Sequence, residues 1–444
     1  MQASDVREVF ETILSQTTLM EAVRASGLQG RERKLDALCL IRSMVIAAST
    51  GYGGRQADVM RHYLESGARP VVRGGFYRWF GPALESVMAK VSAGALAYVA
   101  RHKRDLPGWL GKEVKDWIIV DSSTVKLDDR LKEEYPGAGE YAALKVHKQY
   151  SVGVGATIGY HLSAAREHDA PHLRLDETWR GLGLLVELGY ACFSLLRECE
   201  RYGVKYVIRL KENWRAKVEE VISGTVRGWF PKGSDFDDLL AEQTLVLDGN
   251  DIDAQVRLGR DVDIACRLVA VQGPKGYCFY LTNLARRVTT KQIVDLYRVR
   301  WEIESDNKLD KSCLNLSEIG AQTGAAVRAL VHASLVGSIL VSMLAHHHRR
   351  RETRPSRQGA PRTVAPIHPQ TLARAVGSAA GGLARAMTSK GAVAEKRWTE
   401  LAIYLEHMGR DPNWRRRPSI LDQLRGWRIT PGRSKGIKSA LSVA

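Results

Sequence analysis

Two short apolar runs, each closed by an acid, restrict this chain more than any other feature. The first is Trp117-Ile118-Ile119-Val120-Asp121, followed by the small polar Ser122-Ser123-Thr124. The second is Leu184-Leu185-Val186-Glu187, followed by Leu188-Gly189-Tyr190. Continuous apolar runs of this length suit strands covered on both faces. Residues Ala191 to Arg201 then read as a helix, and Tyr206-Val207-Ile208-Arg209-Leu210 as a further strand. Strand, helix, strand is the crossover pattern of an α/β sheet. An acid closing a buried strand is held rigidly at the sheet rim, where oxygen ligands can grip a cation. The ordinary alternative for each acid is a turn residue that ends its strand.

A third acid belongs to a different element. Tyr297 to Lys311 reads Tyr-Arg-Val-Arg-Trp-Glu-Ile-Glu-Ser-Asp-Asn-Lys-Leu-Asp-Lys. Wound at about 100° per residue, it places Tyr297, Arg300, Glu304 and Lys311 in a stripe roughly 60° wide, with Lys308 beside it. Glu302, Asp306 and Asp310 fall on the opposite side. One face thus offers a lone carboxylate among a phenol and cations. That set suits a metal ion next to a phosphate backbone. The bland alternative is a surface helix with an ordinary Glu304–Lys308 pair.

The spacing Tyr297, two residues, Arg300, three residues, Glu304, six residues, Lys311 resembles the Y-R-E-K signature of DDE transposases of the insertion-sequence-four family. Tyr280-Leu281-Thr282-Asn283-Leu284, Trp301 and the Ile118–Thr124 run are similar to that family as well. The resemblance implies a ribonuclease H-like α/β core with a mostly β insertion at about 214–285, flanked by helical N- and C-terminal regions. It implies that Asp121, Glu187 and Glu304 are the catalytic residues and ligate two divalent ions, Mg²⁺ or Mn²⁺. Tyr297, Arg300, Lys311, Arg209 and Lys211 are implied to meet DNA. The implied reaction is cleavage at transposon ends and strand transfer into target DNA, by a homodimer on paired ends. At one position the chain departs from the family pattern, which has Asp, one residue, Gly, then an aromatic. Here Glu187 stands in place of that Asp. The extra methylene moves the carboxylate by about 1.5 Å. A transposase-derived DNA-binding protein without catalysis is the alternative expectation that this departure sustains.

Charge and length fit such a reading. The 444 residues carry a formal net charge of +17, which favours a polyanionic partner. Most of the excess sits after Ala345, where 20 Lys and Arg face 6 Asp and Glu. The expected organisation is a helical, DNA-binding region 1–110 and a catalytic region 111–345. A basic linker 346–369 and a basic helical region 370–444 follow. Lys145 and His147, on one face of an alternating strand, are expected to face solvent, with a place near the metal site, as the resemblance implies, as the alternative. Phe76-Tyr77-Arg78-Trp79-Phe80 is read chiefly as core, with DNA-end contact as the alternative. Six cysteines without a C-x-x-C pair fit free thiols in a cytosolic protein, and the resemblance implies a bacterial, DNA-associated one. Ala329–Ala345 is the most apolar stretch and reads as a buried core helix rather than a membrane span. His346-His347-His348 is read as a solvated basic boundary, with metal binding as the alternative.

Overall fold

A computed structural model describes residues 1–28, 35–49, 54–223, 232, 233, 235, 251–259, 263–273, 276–352, 364–416 and 418–427. Parts of the expected β insertion (224–231, 234 and 236–250), part of the expected basic linker (353–363) and the end of the expected C-terminal region, from 428, lie outside the described residues.

Helices come first: α1 (Ala3–Leu14), α2 (Gln16–Ala25), α3 (Ala37–Ala48), α4 (Gln56–Glu65), α5 (Arg73–Tyr77), α6 (Pro82–Ala100) and α7 (Leu110–Glu113). Their apolar positions recur at helical spacing, so Val6, Val9, Phe10, Ile13 and Leu14 of α1 face one core. Phe76 is fully buried between the rings of Tyr63 and Phe80, which gives it a packing role.

The sheet follows with β1 (Trp117–Lys126), β2 (Ala143–Ser151), β3 (Ala156–Ala164) and β4 (Gly183–Val186). Helix α8 (Phe193–Tyr202) crosses to β5 (Lys205–Arg209), and β6 (Ala216–Ser223), β7 (Ile252–Leu258), β8 (Ile264–Gly273) and β9 (Gly276–Thr282) complete the set. The spatial order is β3-β2-β1-β4-β5-β9-β8-β7-β6. β1, β2 and β3 form an antiparallel meander, and β4 and β5 run parallel to β1. That order and polarity make a ribonuclease H-like core. The β insertion is an extension of the same sheet, because β9 pairs antiparallel with β5 through Val207↔Thr282 and Arg209↔Tyr280.

Pairing register decides which side chains share a face. Trp117, Ile119 and Leu185 pack on one side of the sheet, while Ile118, Val120, Leu184 and Val186 pack with α8 on the other. On the first side lie α9 (Thr290–Val299), α10 (Trp301–Ser312) and α11 (Gly324–Glu352). Helix α9 opens with a reciprocal cap between Thr289 and Gln292, which satisfies two otherwise orphaned backbone donors.

Helix α11 is the longest element, and its residues from Ala333 to His346 are all buried. It packs on α1, α3, α6, β3 and α10. By length and composition α6 and α11 could each cross a bilayer, but 89% of the apolar window of α11 is buried within the protein. The expected core helix is thus present and longer than expected, ending at Glu352. His346 and His348 are buried on it, so the histidine run is not a solvated boundary. Finally α12 (Pro369–Ser378), α13 (Ala380–Thr388), α14 (Gly391–Met408) and α15 (Ile420–Leu424) return to the N-terminal helices. Trp398 of α14 is fully buried and stacks near Phe10 of α1 at 6.3 Å.

Candidate active site

Asp121 does not close its strand. β1 continues through Ser122 to Lys126, because Ser123, Thr124 and Val125 pair with Val146, Lys145 and Leu144 of β2. What ends near Asp121 is the parallel pairing with β4, whose last pair is Val120↔Val186. The next positions on the two strands are Asp121 and Glu187. Side chains alternate along a strand, so both acids fall on the face of Ile119 and Leu185, the side covered by α9 and α10. Strand β4 stops at Val186, one residue before Glu187. After Val186 the chain turns at Leu188–Tyr190, leaving Glu187 exposed at the sheet rim.

The helical stripe meets this rim. α9 and α10 are separated only at Arg300, whose backbone stays near helical angles, so the stripe survives. Arg300 is buried and donates to Glu304 Oε1 at 2.8 Å, in place of the expected Lys308 partner. Its guanidinium also lies 5.6 Å from the centre of the Tyr297 ring, which packs 5.0 Å from Tyr280. Burial opposes the Arg300 charge, yet Tyr297, Glu304, Glu187 and Asp121 together raise its pKa. One cation therefore stands among all three acids. Its Nε is buried without a partner.

Asp121 is nearly inaccessible, at 6% exposure. Its Oδ1 accepts the Ser122 N–H at 2.9 Å, and its Oδ2 accepts from Asn307 Nδ2 at 3.0 Å. Burial and then the Glu187 charge push its carboxyl up to about 6, with Glu304 adding to the effect and Arg300 opposing it. Three carboxylates thus converge with negative charge left uncompensated. Their donor set is all oxygen, the preference of Mg²⁺ and Mn²⁺, and a divalent cation would relieve the repulsion seen at Asp121. The residues fit such an ion.

Of the other expected residues, Arg209 is exposed and pairs with Tyr280 across the sheet. Its charge acts on both Tyr280 and Tyr297. The Lys211 ammonium lies 6.0 Å over the ring of Trp214, a residue of the core on the α8 side. Lys311 lies two turns past Glu304, about 10 Å along the helix axis. Tyr277 and Phe279 lie ring to ring at 6.3 Å, packed against the core on the α8 side.

Asn307 and Lys148 were missed, and His147 and Lys145 were expected to face solvent. Asn307, on Asp121, could have been found, because it lies about 20° from Arg300 on the helical wheel. Lys148, fully buried, bonds Asp306 at 2.5 Å and Asp310 at 2.6 Å. These are the acids read as facing away from the site, and they turn into the protein to dock α10 on β2. No local signal marks Lys148 for that role. His147 is buried rather than solvent-facing, because Tyr190 from the turn after β4 and Ser163 of β3 close over it. Its ring nitrogens bond Tyr190 Oη at 2.7 Å and Ser163 Oγ at 2.9 Å. Lys145, also expected outside, is half-buried on Asp169 at 3.0 Å.

A ribonuclease H-like sheet with one acid on β1, a second just past the end of β4 and a third on the covering helix defines the class of this protein. Residues 112–338, just over half of the chain, match the family described as Transposase DDE domain, and the chain belongs to that family. The family generally depends on divalent metal ions. The chain is also similar to the transposase for insertion sequence element IS1151 of Clostridium perfringens. It is 20% identical to that protein over a 276-position alignment that covers 51% of this chain and 56% of the relative. The match thus spans little more than half of the relative's length. Among solved structures, a piggyBac transposase synaptic complex with hairpin DNA aligns over 98% of this chain and 87% of that one. The sequence identity there is 12% and the TM-score 0.46.

Proposed function

We propose that this chain is a DNA transposase of the insertion-sequence-four type that cuts transposon ends and joins them to target DNA. The observation that carries the reading is the position of Asp121, whose buried carboxyl feels both Glu187 and Glu304 while Arg300 stands among the three. Asp121, Glu187 and Glu304 would hold two divalent ions, Mg²⁺ or Mn²⁺. Bound there, the ions would supply charge that activates an attacking hydroxyl and stabilises the leaving oxygen.

The chain's own residues have separate tasks. Asn307 orients the Asp121 carboxylate, and Arg300 orients Glu304. Arg209 and Tyr297 stand at the same rim, where a phosphate and its sugar would pass. Lys211 and Lys311, farther out, would contact the flanking DNA strand. The net charge of +17 supplies the general attraction for the polyanion. Two copies on paired ends would act together, in the cytoplasm of a bacterium. The helices of 1–110 and 370–444 would grip DNA outside the catalytic region 111–345.

The test is a cleavage assay on end-containing DNA with Mg²⁺ or Mn²⁺. Asp121→Asn and Glu304→Gln are expected to abolish cutting and leave DNA affinity nearly unchanged. Glu187→Asp is expected to raise the rate, because the shorter carboxylate restores the separation of the ligands. Full cleavage by Glu304→Gln would overturn the assignment. DNA binding with no cleavage by any form would favour a binding protein without catalysis.

A further inference from the structure

A second group of metal-ligating side chains lies in the helical body, on elements the catalytic reading does not use. Glu8 of α1, His102 just past the end of α6, and His347 of α11 each bring one ligand atom to within 4.8 Å of the other two. From this convergence we propose a binding site for a transition-metal dication of the Zn²⁺ type, held by Glu8, His102 and His347. It differs from the site at Asp121 in chemistry, with two imidazoles and one carboxylate in place of three carboxylates. Imidazole suits zinc, whereas an all-oxygen set suits Mg²⁺.

The surroundings prepare the ligands. His102 Nδ1 lies 2.8 Å from the Tyr98 carbonyl, which can only accept, so that nitrogen carries the hydrogen. The Nε2 lone pair of His102 is left for a ligand. A histidine whose other nitrogen is tied to a backbone carbonyl has the usual support of a zinc ligand. The Tyr98 hydroxyl holds the other two residues, lying 3.1 Å from Glu8 Oε1 and 3.0 Å from His347 Nε2. The His102 and His347 rings meet edge to face at 5.0 Å.

Zinc with bonds of about 2.0–2.1 Å needs its ligand atoms roughly 3.3 Å apart. The group must therefore contract by up to about 1.5 Å. Glu8 is exposed and His102 and His347 are half-buried, so side-chain rotation supplies that movement. Three protein ligands leave a fourth position for water. Because the ligands come from α1, the end of α6 and α11, a bound ion would cross-link the N-terminal helices to the central one.

The test uses untagged full-length protein and Co²⁺ as the optical stand-in for Zn²⁺. Four-coordinate Co²⁺ with nitrogen ligands absorbs strongly in the visible, whereas six-coordinate Co²⁺ on carboxylates is faint. One equivalent of Co²⁺ is expected to give the strong band, and Zn²⁺ to displace it. His102→Ala and His347→Ala should each weaken binding at least tenfold, and Glu8→Gln several-fold. Asp121→Asn should keep the band. Metal-free melting curves of each variant report folding separately, and Zn²⁺ should raise the melting temperature of the parent but not of His347→Ala. A missing strong band, or one that survives His347→Ala in a folded variant, would overturn the proposal. A band lost in Asp121→Asn would assign the ion to the catalytic site instead and equally overturn it.

Discussion

Asn307 Nδ2 donates to Asp121 Oδ2 at 3.0 Å, a bond between residues 186 positions apart that joins the Glu304 helix to the central strand. It is the one direct hydrogen bond found between the helical stripe and a strand acid among the described residues. Asn307→Ala is expected to lower metal-dependent cleavage by about 10- to 100-fold, the usual effect of removing a group that orients a ligand. The loss should appear as a raised metal requirement. Titrating Mn²⁺ in the cleavage assay checks it, and an unchanged metal midpoint would show that Asn307 does not orient Asp121.

Asp121 is expected to destabilise the metal-free protein. Its folded pKa is raised from 3.8 to about 6, by burial first and then by Glu187. A carboxyl with a raised folded pKa favours folding below about pH 4, and that contribution is lost as the pH rises through 6. At pH 7 the full penalty is present. Asp121→Asn should therefore raise stability there by about 1–3 kcal/mol, and by less at pH 5. Denaturant titrations with a chelator at both pH values test the sign. Added Mg²⁺ should shrink the difference by stabilising the parent.

Lys148 is expected to matter for folding. It is fully buried, and Asp306 and Asp310 close on it while Thr157 bonds Asp306 at 3.2 Å. Lys148→Met would leave two buried acids without their cation, a loss of about 3–5 kcal/mol. Adding Asp306→Asn and Asp310→Asn should restore much of that stability. If the single variant melts with the parent, the trio is not what docks this helix.

His147 sets an acid limit on stability. Burial, then His172, hold its pKa at about 4 against 6.5 for the free side chain. Between those values the unfolded chain binds the proton and the folded one does not, so stability falls as pH drops from 6.5 towards 4. The difference in unfolding free energy between pH 7.5 and pH 5 should be smaller by about 2 kcal/mol in His147→Gln. An identical pH profile would place the proton uptake elsewhere; His346, held near 3 by burial, is the next residue to substitute.

The three acids were legible in the sequence because each stands at a change of local pattern. Asp121 and Glu187 close apolar runs, and Glu304 is the lone acid of a helical stripe. Their convergence needed the register Val120↔Val186, which no local pattern specifies. Lys148 and His147 were misjudged or missed because alternation reports a strand's two faces but not what covers them. The reading of residues after Ala345 as an outer basic region missed Trp398, whose partner Phe10 is 388 positions away. Long-range pairs of this kind are set by tertiary packing and leave no periodic trace.

Helix α11 has a consequence for how such a chain can be taken apart. The family match ends at residue 338, in the middle of the Gly324–Glu352 helix. Beyond that point the same helix still lies against α1 and α12. The stretch that matches the family is thus not a detachable cassette. A graft cut at its boundary would halve the beam on which both ends of the molecule rest, so a working transplant must carry the outer helices with it.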